Sequence, residues 1–142
     1  MGYEIKKVDV WSAEIPDQPG GLRSALVPLV ELGANLDFLL ARRTTKGKGV
    51  VFLSPLEGAQ LIKKAKSSGF SKNKEISALK IIGPDKAGLG LAILNELGSA
   101  GINIRGISAS AISKNCVIWL AFDNTKDSAK ALRILKKILA TK

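Results

Sequence analysis

Apolar and polar residues follow two rhythms along this chain, and the same succession of rhythms occurs twice. Residues 8–15 alternate between apolar and polar and are rich in strand formers, and residues 76–82 are their counterpart in the second half. After each of these strands, apolar residues recur at the spacing of one helix face. They are Leu22, Leu26, Leu29 and Val30 in the first half, and Leu91, Leu94, Leu97 and Ala100 in the second. The pattern therefore predicts a strand and then an amphipathic helix, twice.

The remainder of each half predicts the same further elements. Strands are predicted at residues 35–43 and 50–53, and again at 102–113 and 116–122. A Lys-Gly-Lys-Gly turn joins the first pair and a Lys-Asn dipeptide joins the second, as hairpin connections do. A second helix is expected in each half, at residues 57–68 and 126–139. A strand at 70–75 completes the first half, whereas no strand is expected after the last helix of the second half.

The segments 16–36 and 84–104 carry the repeat most clearly. They read PDQPGGLRSALVPLVELGANL and PDKAGLGLAILNELGSAGINI. With a shift of 68 residues, the identical pairs are Pro16/Pro84, Asp17/Asp85, Gly20/Gly88, Leu26/Leu94, Leu29/Leu97, Gly33/Gly101 and Asn35/Asn103. We expect Pro-Asp to end each strand, the Asp to accept hydrogen bonds from amides at the helix start, and the second glycine to take a positive φ at the helix end. Two copies of one motif predict two small, similar units.

These elements predict an α+β fold with two ferredoxin-like βαββαβ units in tandem. Each unit is expected to have an antiparallel sheet with both helices on one face. We place the first unit at residues 1–70 and the second at 71–142. The last strand of the second unit is expected from residues 3–7 or from a partner chain. An open sheet edge invites pairing, so we expect closely packed units and a homodimer.

Pro28 interrupts the pattern of the first predicted helix. The second copy has Glu96 at the same place. A proline inside a helix removes a hydrogen bond, here to Ser24, and clashes with the preceding turn, at a cost of about 3 kcal/mol if unrelieved. We therefore expect a kink or an early end of the helix at this residue.

The composition favours a soluble, cytoplasmic protein that does not enter a membrane. Hydrophobic residues make up 46% of the chain, yet no apolar run approaches the roughly 18–20 residues that span a bilayer. The single cysteine, Cys116, excludes an internal disulfide and suits a reducing compartment. The net charge of +10 attracts polyanions weakly, but the lysines are spread over many elements, which is typical of a solvated surface.

The residues that carry most enzyme chemistry are scarce. The chain has no histidine, which removes the commonest general base and most zinc sites. Its twelve acidic residues follow no metal or glycosidase spacing. The glycines at 83, 88 and 90 look like a dinucleotide fingerprint, but Ile93 stands where the third glycine of that motif belongs. We therefore expect no catalytic residues, no metal and no cofactor.

The duplicated motif resembles the ACT domain over about residues 8–139. The mark of that family is Asp-x-Pro-Gly after the first strand and Gly-x-Asn before the second. The corresponding residues are Asp17-Gln18-Pro19-Gly20 with Gly33-Ala34-Asn35, and Asp85-Lys86-Ala87-Gly88 with Gly101-Ile102-Asn103. The second copy departs from the family at Ala87, which replaces the turn proline. The resemblance implies a regulatory module whose units pair side by side and bind a free amino acid at their interface.

The chemistry of the two motifs suits a zwitterionic ligand. Backbone amides at a helix start favour a carboxylate, side-chain oxygens favour an ammonium group, and glycines allow a close approach. The candidate ligand-binding residues are Asp17, Pro19, Gly20, Gly21, Leu22, Asn35 and Leu36 in the first copy and Asp85, Gly88, Leu89, Asn103 and Ile104 in the second. If two units pair, the turn of one is expected to face the second strand of the other. The first copy keeps the whole Asp-Gln-Pro-Gly turn, so we expect it to be the better site.

These observations predict a non-catalytic regulatory protein that binds a small amino acid and modulates an enzyme or regulator in trans. Two alternatives stay open. One is an accessory subunit of an enzyme of amino-acid metabolism, which the sequence does not separate from the first reading. The other is a nucleic-acid-binding module, which needs aromatic residues at adjacent positions of the central strands. The predicted strands offer, in no such arrangement, Phe38, Phe52, Trp119 and Phe122.

Overall fold

Two four-stranded antiparallel sheets, each covered on one face by two helices, make up the protein. The computed structural model describes residues 2–72 and 76–139. The elements in chain order are β1 (Glu4–Val8), β2 (Trp11–Pro16), α1 (Gly21–Val30), β3 (Phe38–Thr45), β4 (Lys48–Ser54), α2 (Ala59–Ser67), β5 (Ser71–Lys72), β6 (Ser77–Pro84), α3 (Leu89–Ser99), β7 (Gly106–Ile112), β8 (Asn115–Phe122) and α4 (Thr125–Ile138). The predicted α+β fold of two ferredoxin-like units is confirmed.

The described residues divide into two compact units. Unit A lies within Asp9–Asn73, and unit B combines Met1–Val8 with Lys74–Lys142. The strand order is β3-β4-β2-β5 in unit A and β1-β6-β8-β7 in unit B. Both orders place the first and third strands of the ferredoxin-like unit in the middle of the sheet, so β3 and β7 are equivalent edge strands.

The sheet of unit B is completed by the N-terminal segment. Strand β1 runs antiparallel to β6, with Ile5 opposite Ile81, and Ile5 is buried in the core of this unit. Residues 3–7 are one of the two sources predicted for this strand, whereas the predicted division into residues 1–70 and 71–142 does not follow the compact units, because residues 1–8 group with the second. The reason is the sheet itself, because β6 offers a free edge there and β2 is already paired by β5.

Each unit has its own hydrophobic core between the sheet and the helices. In unit A, alternate residues of β2 point toward the helices, so Trp11, Ala13 and Ile15 are buried while Glu14 is exposed. In unit B the corresponding residues Leu79 and Ile81 are fully buried against α3 and α4. These contacts account for the period of two that the sequence shows in its strands.

Several predicted element bounds shift in the structure. The segment predicted as one strand at 8–15 is two, because β1 ends at Val8 and β2 begins at Trp11. The strands predicted from residues 35 and 102 begin at Phe38 and Gly106, since the preceding residues return the chain from the helix to the sheet. Of the strand predicted at 70–75, the structure has Ser71–Lys72, and residues 73–75 lie outside the described residues.

Helix α1 continues past Pro28 and ends at Val30. Its counterpart α3 ends at Ser99, which is equivalent to position 31, so α1 is one residue shorter at this end. Both helices are followed by a glycine with positive φ, 87° at Gly33 and 75° at Gly101, as predicted. The helix thus ends soon after the proline rather than at it.

Among the described helices, the longest has 14 residues and none is both long and apolar enough to cross a membrane.

Candidate functional site

The Pro-Asp pair at the end of the first strand is anchored to the neighbouring hairpin in both units. The amide of Asp17 donates to the carbonyl oxygen of Gly47 at 3.1 Å, and the amide of Asp85 donates to that of Lys114 at 2.8 Å. Each acceptor lies in the turn between the second and third strands of its unit. The strand end, the hairpin turn and the helix start therefore meet at one end of each sheet.

A glycine opens each helix in the same conformation. Gly20 has φ 82° and ψ −6°, and Gly88 has φ 83° and ψ 0°. This left-handed conformation suits glycine because the Cβ atom of any other residue causes a steric clash there. Each of these glycines accepts the first helical hydrogen bond, from Ser24 and from Ala92, both at 3.0 Å. The two turns are therefore built alike although Ala87 replaces the proline in the second.

The amides that follow these glycines are available to a ligand. Within the described residues, the amides of Leu22 and Arg23 in unit A donate to no backbone carbonyl, and neither do those of Gly90 and Leu91 in unit B. Amides at a helix start carry a partial positive charge and attract carboxylates. The ligand-binding residues predicted from the sequence include Leu22 but neither Arg23 nor Leu91, because the free amides are identified only once the first residue of each helix is known.

The expected capping role of the two aspartates is wrong. No side chain caps α1 or α3 within the described residues, because a left-handed glycine occupies the capping position in each. The carboxylate of Asp17 instead forms an ion pair with the guanidinium of Arg43 on β3. That leaves the helix-start amides uncapped, which keeps them free for an external acceptor.

The glycines next to the capping positions differ in what surrounds them. A Cβ on Gly21 would stand 2.3 Å from the carbonyl oxygen of Pro16, so this glycine is required by its own strand end. A Cβ on Gly90 would meet no atom within 4 Å. Gly21 is expected from the sequence to let a ligand approach the backbone closely, but the space beside it is filled by the Pro16 carbonyl group of the same unit. The backbone at Gly90 is open to a ligand.

The two asparagines lie far from the turn of their own unit. Asn35 and Asn103 follow the C-terminal ends of α1 and α3, whereas Asp17 and Asp85 precede the N-terminal ends. Helix α1 has 10 residues and is therefore about 15 Å long. Both asparagines are exposed, and neither side chain hydrogen-bonds within the described residues. One small ligand therefore cannot be held by the aspartate and the asparagine of the same unit.

The apolar candidates contribute to the cores. Leu22 and Leu36 pack against the core of unit A, and Leu89 and Ile104 against that of unit B. Each of the four is half-buried rather than exposed. They therefore present only part of a side chain to any ligand at the turns. Pro19 is exposed in the turn itself.

The turn of unit B has a neighbour that unit A lacks. The ring of Tyr3 covers Gly83, where a Cβ would stand 2.2 Å from the ring, and its hydroxyl donates to the carbonyl oxygen of Pro84 at 2.8 Å. The thiol of Cys116 points to the same oxygen at 3.7 Å. Burial raises the pKa of both Tyr3 and Cys116, and the nearby charge of Asp85 adds to the effect. Both groups stay neutral beside Asp85 at neutral pH.

Two of the four aromatic residues that the strands offer to nucleic-acid bases are buried, whereas Phe38 and Phe52 are half-buried on the neighbouring strands β3 and β4. Phe122 is fully buried and Trp119 is 7% exposed, so neither ring presents a face for stacking. The ammonium of Lys80 lies 5.2 Å from the centroid of the Trp119 ring. In the described parts of the chain, no group of three His, Cys, Asp or Glu side chains is placed to hold a metal ion.

Comparison with known proteins places this geometry in context. No family model matches the sequence, and no characterised protein matches it by sequence. Among solved structures, protein BT0572 from Bacteroides thetaiotaomicron superposes with a TM-score of 0.77 at 17% identity, covering 96% of this chain and 90% of that protein. The ligand-free regulatory subunit of aspartate kinase from Thermus thermophilus superposes with a TM-score of 0.65 at 15% identity, covering 96% of each chain.

A whole enzyme also contains the same fold. Aspartate kinase from Synechocystis matches with a TM-score of 0.65 at 16% identity, over 98% of this chain and 26% of the enzyme. At these identities the likeness shows the fold alone. The fold is that of aspartate kinase regulatory subunits and domains, in agreement with the resemblance of the duplicated motif to the ACT domain.

Proposed function

We propose that this protein is a non-catalytic regulatory protein that binds a free amino acid and changes the activity of a partner enzyme or regulator. The observation that carries the proposal is the duplicated turn, with its left-handed glycine, its uncapped helix-start amides and its adjacent carboxylate. The amides suit an α-carboxylate and the aspartate suits an α-ammonium group. The fold shared with an aspartate kinase regulatory subunit supports a regulatory role.

We infer further that a second copy of the chain completes each site. The aspartate and asparagine of one unit are separated by the length of a helix, so the asparagine facing a given turn has to come from elsewhere. The edge strands β3 and β7 carry exposed apolar residues at equivalent positions, Leu39 at 46% and Ile107 at 49% exposed. Apolar residues on an open edge favour pairing with another strand. A homodimer paired along these edges would hide them.

The proposal predicts stabilisation by specific amino acids. Thermal unfolding of the full chain is measured with each standard amino acid at millimolar concentration. A ligand that binds only the folded state raises the free energy of unfolding, by about 2.7 kcal/mol when its concentration is a hundred times Kd. The melting temperature rises accordingly. We expect one or a few amino acids to do so, and their N-acetylated forms, which lack the ammonium group, to fail. A melting temperature unchanged by every amino acid would contradict the proposal.

The dimer is tested separately by sedimentation of the protein with and without the stabilising amino acid. Ile107→Lys places a charge on the β7 edge, and Ser110→Lys on the same strand is the matched control with equal added charge at an exposed polar position. We expect the first variant to be monomeric and the second to remain dimeric. A wild-type protein that sediments as a monomer under all conditions would exclude this arrangement.

An accessory subunit that stays bound to a catalytic chain is the second candidate. The Thermus thermophilus protein with this fold is by name a regulatory subunit of an enzyme, which favours such an arrangement. The partner would be an enzyme of amino-acid metabolism, and the free Cys116 is in keeping with a cytoplasmic location. Affinity purification of the full chain from its native cells, followed by identification of stoichiometric partners, separates permanent from transient association.

A further inference from the structure

The two units differ in the residues that lie across the sheet just before the turn. In unit A, Ile15 is opposite Gly49, which in turn is opposite Arg43. In unit B, Gly83 is opposite Cys116, which is opposite Ala111. Ile15 and Gly83 both lie two residues before the aspartate of their turn. Arg43 and Ala111 are therefore structural counterparts, and only unit A has a cation there.

That cation is already bound to the carboxylate of the proposed site. The Arg43 Nε atom pairs with Oδ2 of Asp17, whose side chain is 32% exposed. The Asp17 carboxylate is therefore partly buried, and the Arg43 guanidinium is bound to it. In unit B, no described cation forms an ion pair with Asp85, and its side chain makes no hydrogen bond to a described residue.

We propose that Arg43 occupies the ammonium-binding carboxylate of unit A as an internal substitute for the ligand, so that an amino acid binds unit B first. The inference rests on the proposed function and reverses the ranking expected from the intact Asp-Gln-Pro-Gly turn. Guanidinium and ammonium groups compete for the same carboxylate oxygens. A ligand of unit A has to displace Arg43, whereas a ligand of unit B meets an open carboxylate.

The backbone of unit B is also the more accessible. The free amides of unit A belong to Leu22 and Arg23, and the side chain of Leu22 packs into the core beside the turn. The equivalent of Leu22 in unit B is Gly90, where no atom stands within 4 Å of an added Cβ. The backbone at the free amides therefore has more open space around it in unit B, while the Tyr3 ring covers Gly83, two residues before Asp85.

The expected size of the effect follows from the exposure of the pair. The Arg43 side chain is 71% exposed, and exposed ion pairs contribute little to stability because water screens them. Displacing such a pair should weaken binding about twofold to fivefold. The difference between units is therefore one of affinity, with unit A filling at higher concentration.

The test follows each unit by NMR in the isotope-labelled full chain. The amide signals of Arg23 and Leu91 report on unit A and unit B while each standard amino acid is added to millimolar concentration. We expect the Leu91 signal to shift at a lower concentration than that of Arg23. Arg43→Ala should lower the midpoint of unit A about twofold to fivefold and leave unit B unchanged.

Two further variants make the comparison specific. Arg42→Ala removes the same charge from the neighbouring position of β3, where the side chain is exposed and forms no ion pair with a described residue. It should leave both midpoints unchanged. Ala111→Arg installs the cation in unit B at an exposed strand position and should raise the midpoint of unit B by the same factor. Dispersed amide spectra verify that each variant is folded.

The possible results separate this inference from the proposed function. Shifts in unit B with a unit A midpoint that Arg43→Ala leaves unchanged would overturn the inference alone. Weaker binding by unit A in Arg43→Ala would also overturn it, because Arg43 would then contact the ligand itself. Absence of any shift with any amino acid in all four proteins would overturn the proposed function, and this inference with it.

Discussion

Gly21 and Leu89 occupy equivalent positions at the start of α1 and α3, yet their surroundings differ. The chain of unit A passes so close to its own strand end that a Cβ at Gly21 would stand 2.3 Å from the Pro16 carbonyl oxygen. In unit B the same position holds a leucine that packs into the core. Two residues that align in the repeat are thus under different local constraints.

We predict that Gly21→Ala lowers the free energy of unfolding by about 1–3 kcal/mol, because backbone atoms must move to admit the methyl group. Urea unfolding followed by circular dichroism measures the change. The control is Gly98→Ala, where a Cβ meets no atom within 4 Å inside α3. That change should raise stability by up to about 1 kcal/mol, as alanine does in a helix. Equal effects of the two substitutions would show that crowding at Pro16 is not decisive.

Tyr3 is the second residue whose role depends on its neighbours. Tyr3→Phe keeps the ring on Gly83 and removes the hydrogen bond to Pro84, at a cost of about 0.5–1.5 kcal/mol at neutral pH. Burial raises the pKa of Tyr3 above its usual value of about 10, so the native state holds this proton more tightly than the unfolded state does. The stabilisation is complete below that value and is lost as the pH rises through the pKa of the folded protein.

The wild type and Tyr3→Phe should therefore differ in stability at pH 7 and converge in alkaline solution. Cys116, whose pKa is also raised, is present in both proteins, and its charge in alkaline solution raises the pKa of Tyr3 further, so it contributes to the difference between them. Urea unfolding between neutral pH and about pH 11 provides the measurement. A stability difference that stays constant across this range would show that Tyr3 ionises equally in both states.

At the scale of elements, α1 and α3 are the same helix with and without a proline. Pro28 lies in the last turn of α1, and Glu96 takes its place in α3. The helix tolerates Pro28 because few hydrogen bonds remain to be made beyond it, although the bond to Ser24 is still lost. The repeat thus contains its own comparison for the cost of a proline.

We predict that Pro28→Ala stabilises unit A by about 2 kcal/mol. The helix gains about 3 kcal/mol, and the unfolded chain offsets about 1 kcal/mol of this because it becomes less restricted. Glu96→Pro is the reciprocal change in unit B and should cost about 3 kcal/mol. Native-state hydrogen exchange reports the two units separately. If Pro28→Ala leaves hydrogen exchange in unit A unchanged, Pro28 does not destabilise α1 and the prediction is wrong.

The elements themselves were readable from the sequence to within a few residues. Periodicity predicted the helices and strands because their buried faces, such as Leu29 and Leu97, are strictly apolar. The bounds moved where chain geometry rather than burial decides, as in residues 35–37, which connect helix and strand. The ion pair of Asp17 with Arg43 was not predictable, because it joins residues 26 apart whose approach depends on the register of β3.

At the scale of the whole molecule, the two units share a chain that crosses between them twice, after residue 8 and after residue 73. Strand β1, near the N-terminus, completes a sheet whose other strands all come after residue 76 in the chain. The stability of unit B therefore depends on residues remote in sequence, whereas unit A is built from one continuous stretch.

Deletion of residues 2–8 should selectively destabilise unit B. It removes Ile5 from the core, the hydrogen bonds of β1 to β6 and the ring over Gly83. We expect hydrogen exchange to accelerate in β6, β8 and α4 while the amides of β4 and α1 keep their protection. Equal acceleration in both units would show that they unfold together.

A permuted chain supplies the control for this deletion. It begins at Asp9 and carries residues 2–8 after the last residue through a flexible linker, so the strand can pair with β6 again. Protection of unit B should return. If unit B of the permuted chain exchanges as fast as it does in the deletion variant, the original connection of β1 to β2 is needed for its stability in addition to the strand itself.

The place of β1 also sets an order for folding during synthesis. The ribosome releases β1 long before its partner β6, and all of unit A is synthesised between these two strands. Unit A can therefore fold while the N-terminal strand is still unpaired and exposed to other chains in the same polysome. The charged residues Glu4, Lys6 and Lys7 on this short strand oppose such premature pairing. Because β1 is synthesised before the rest of unit B, it has to resist pairing with other strands until β6 is available.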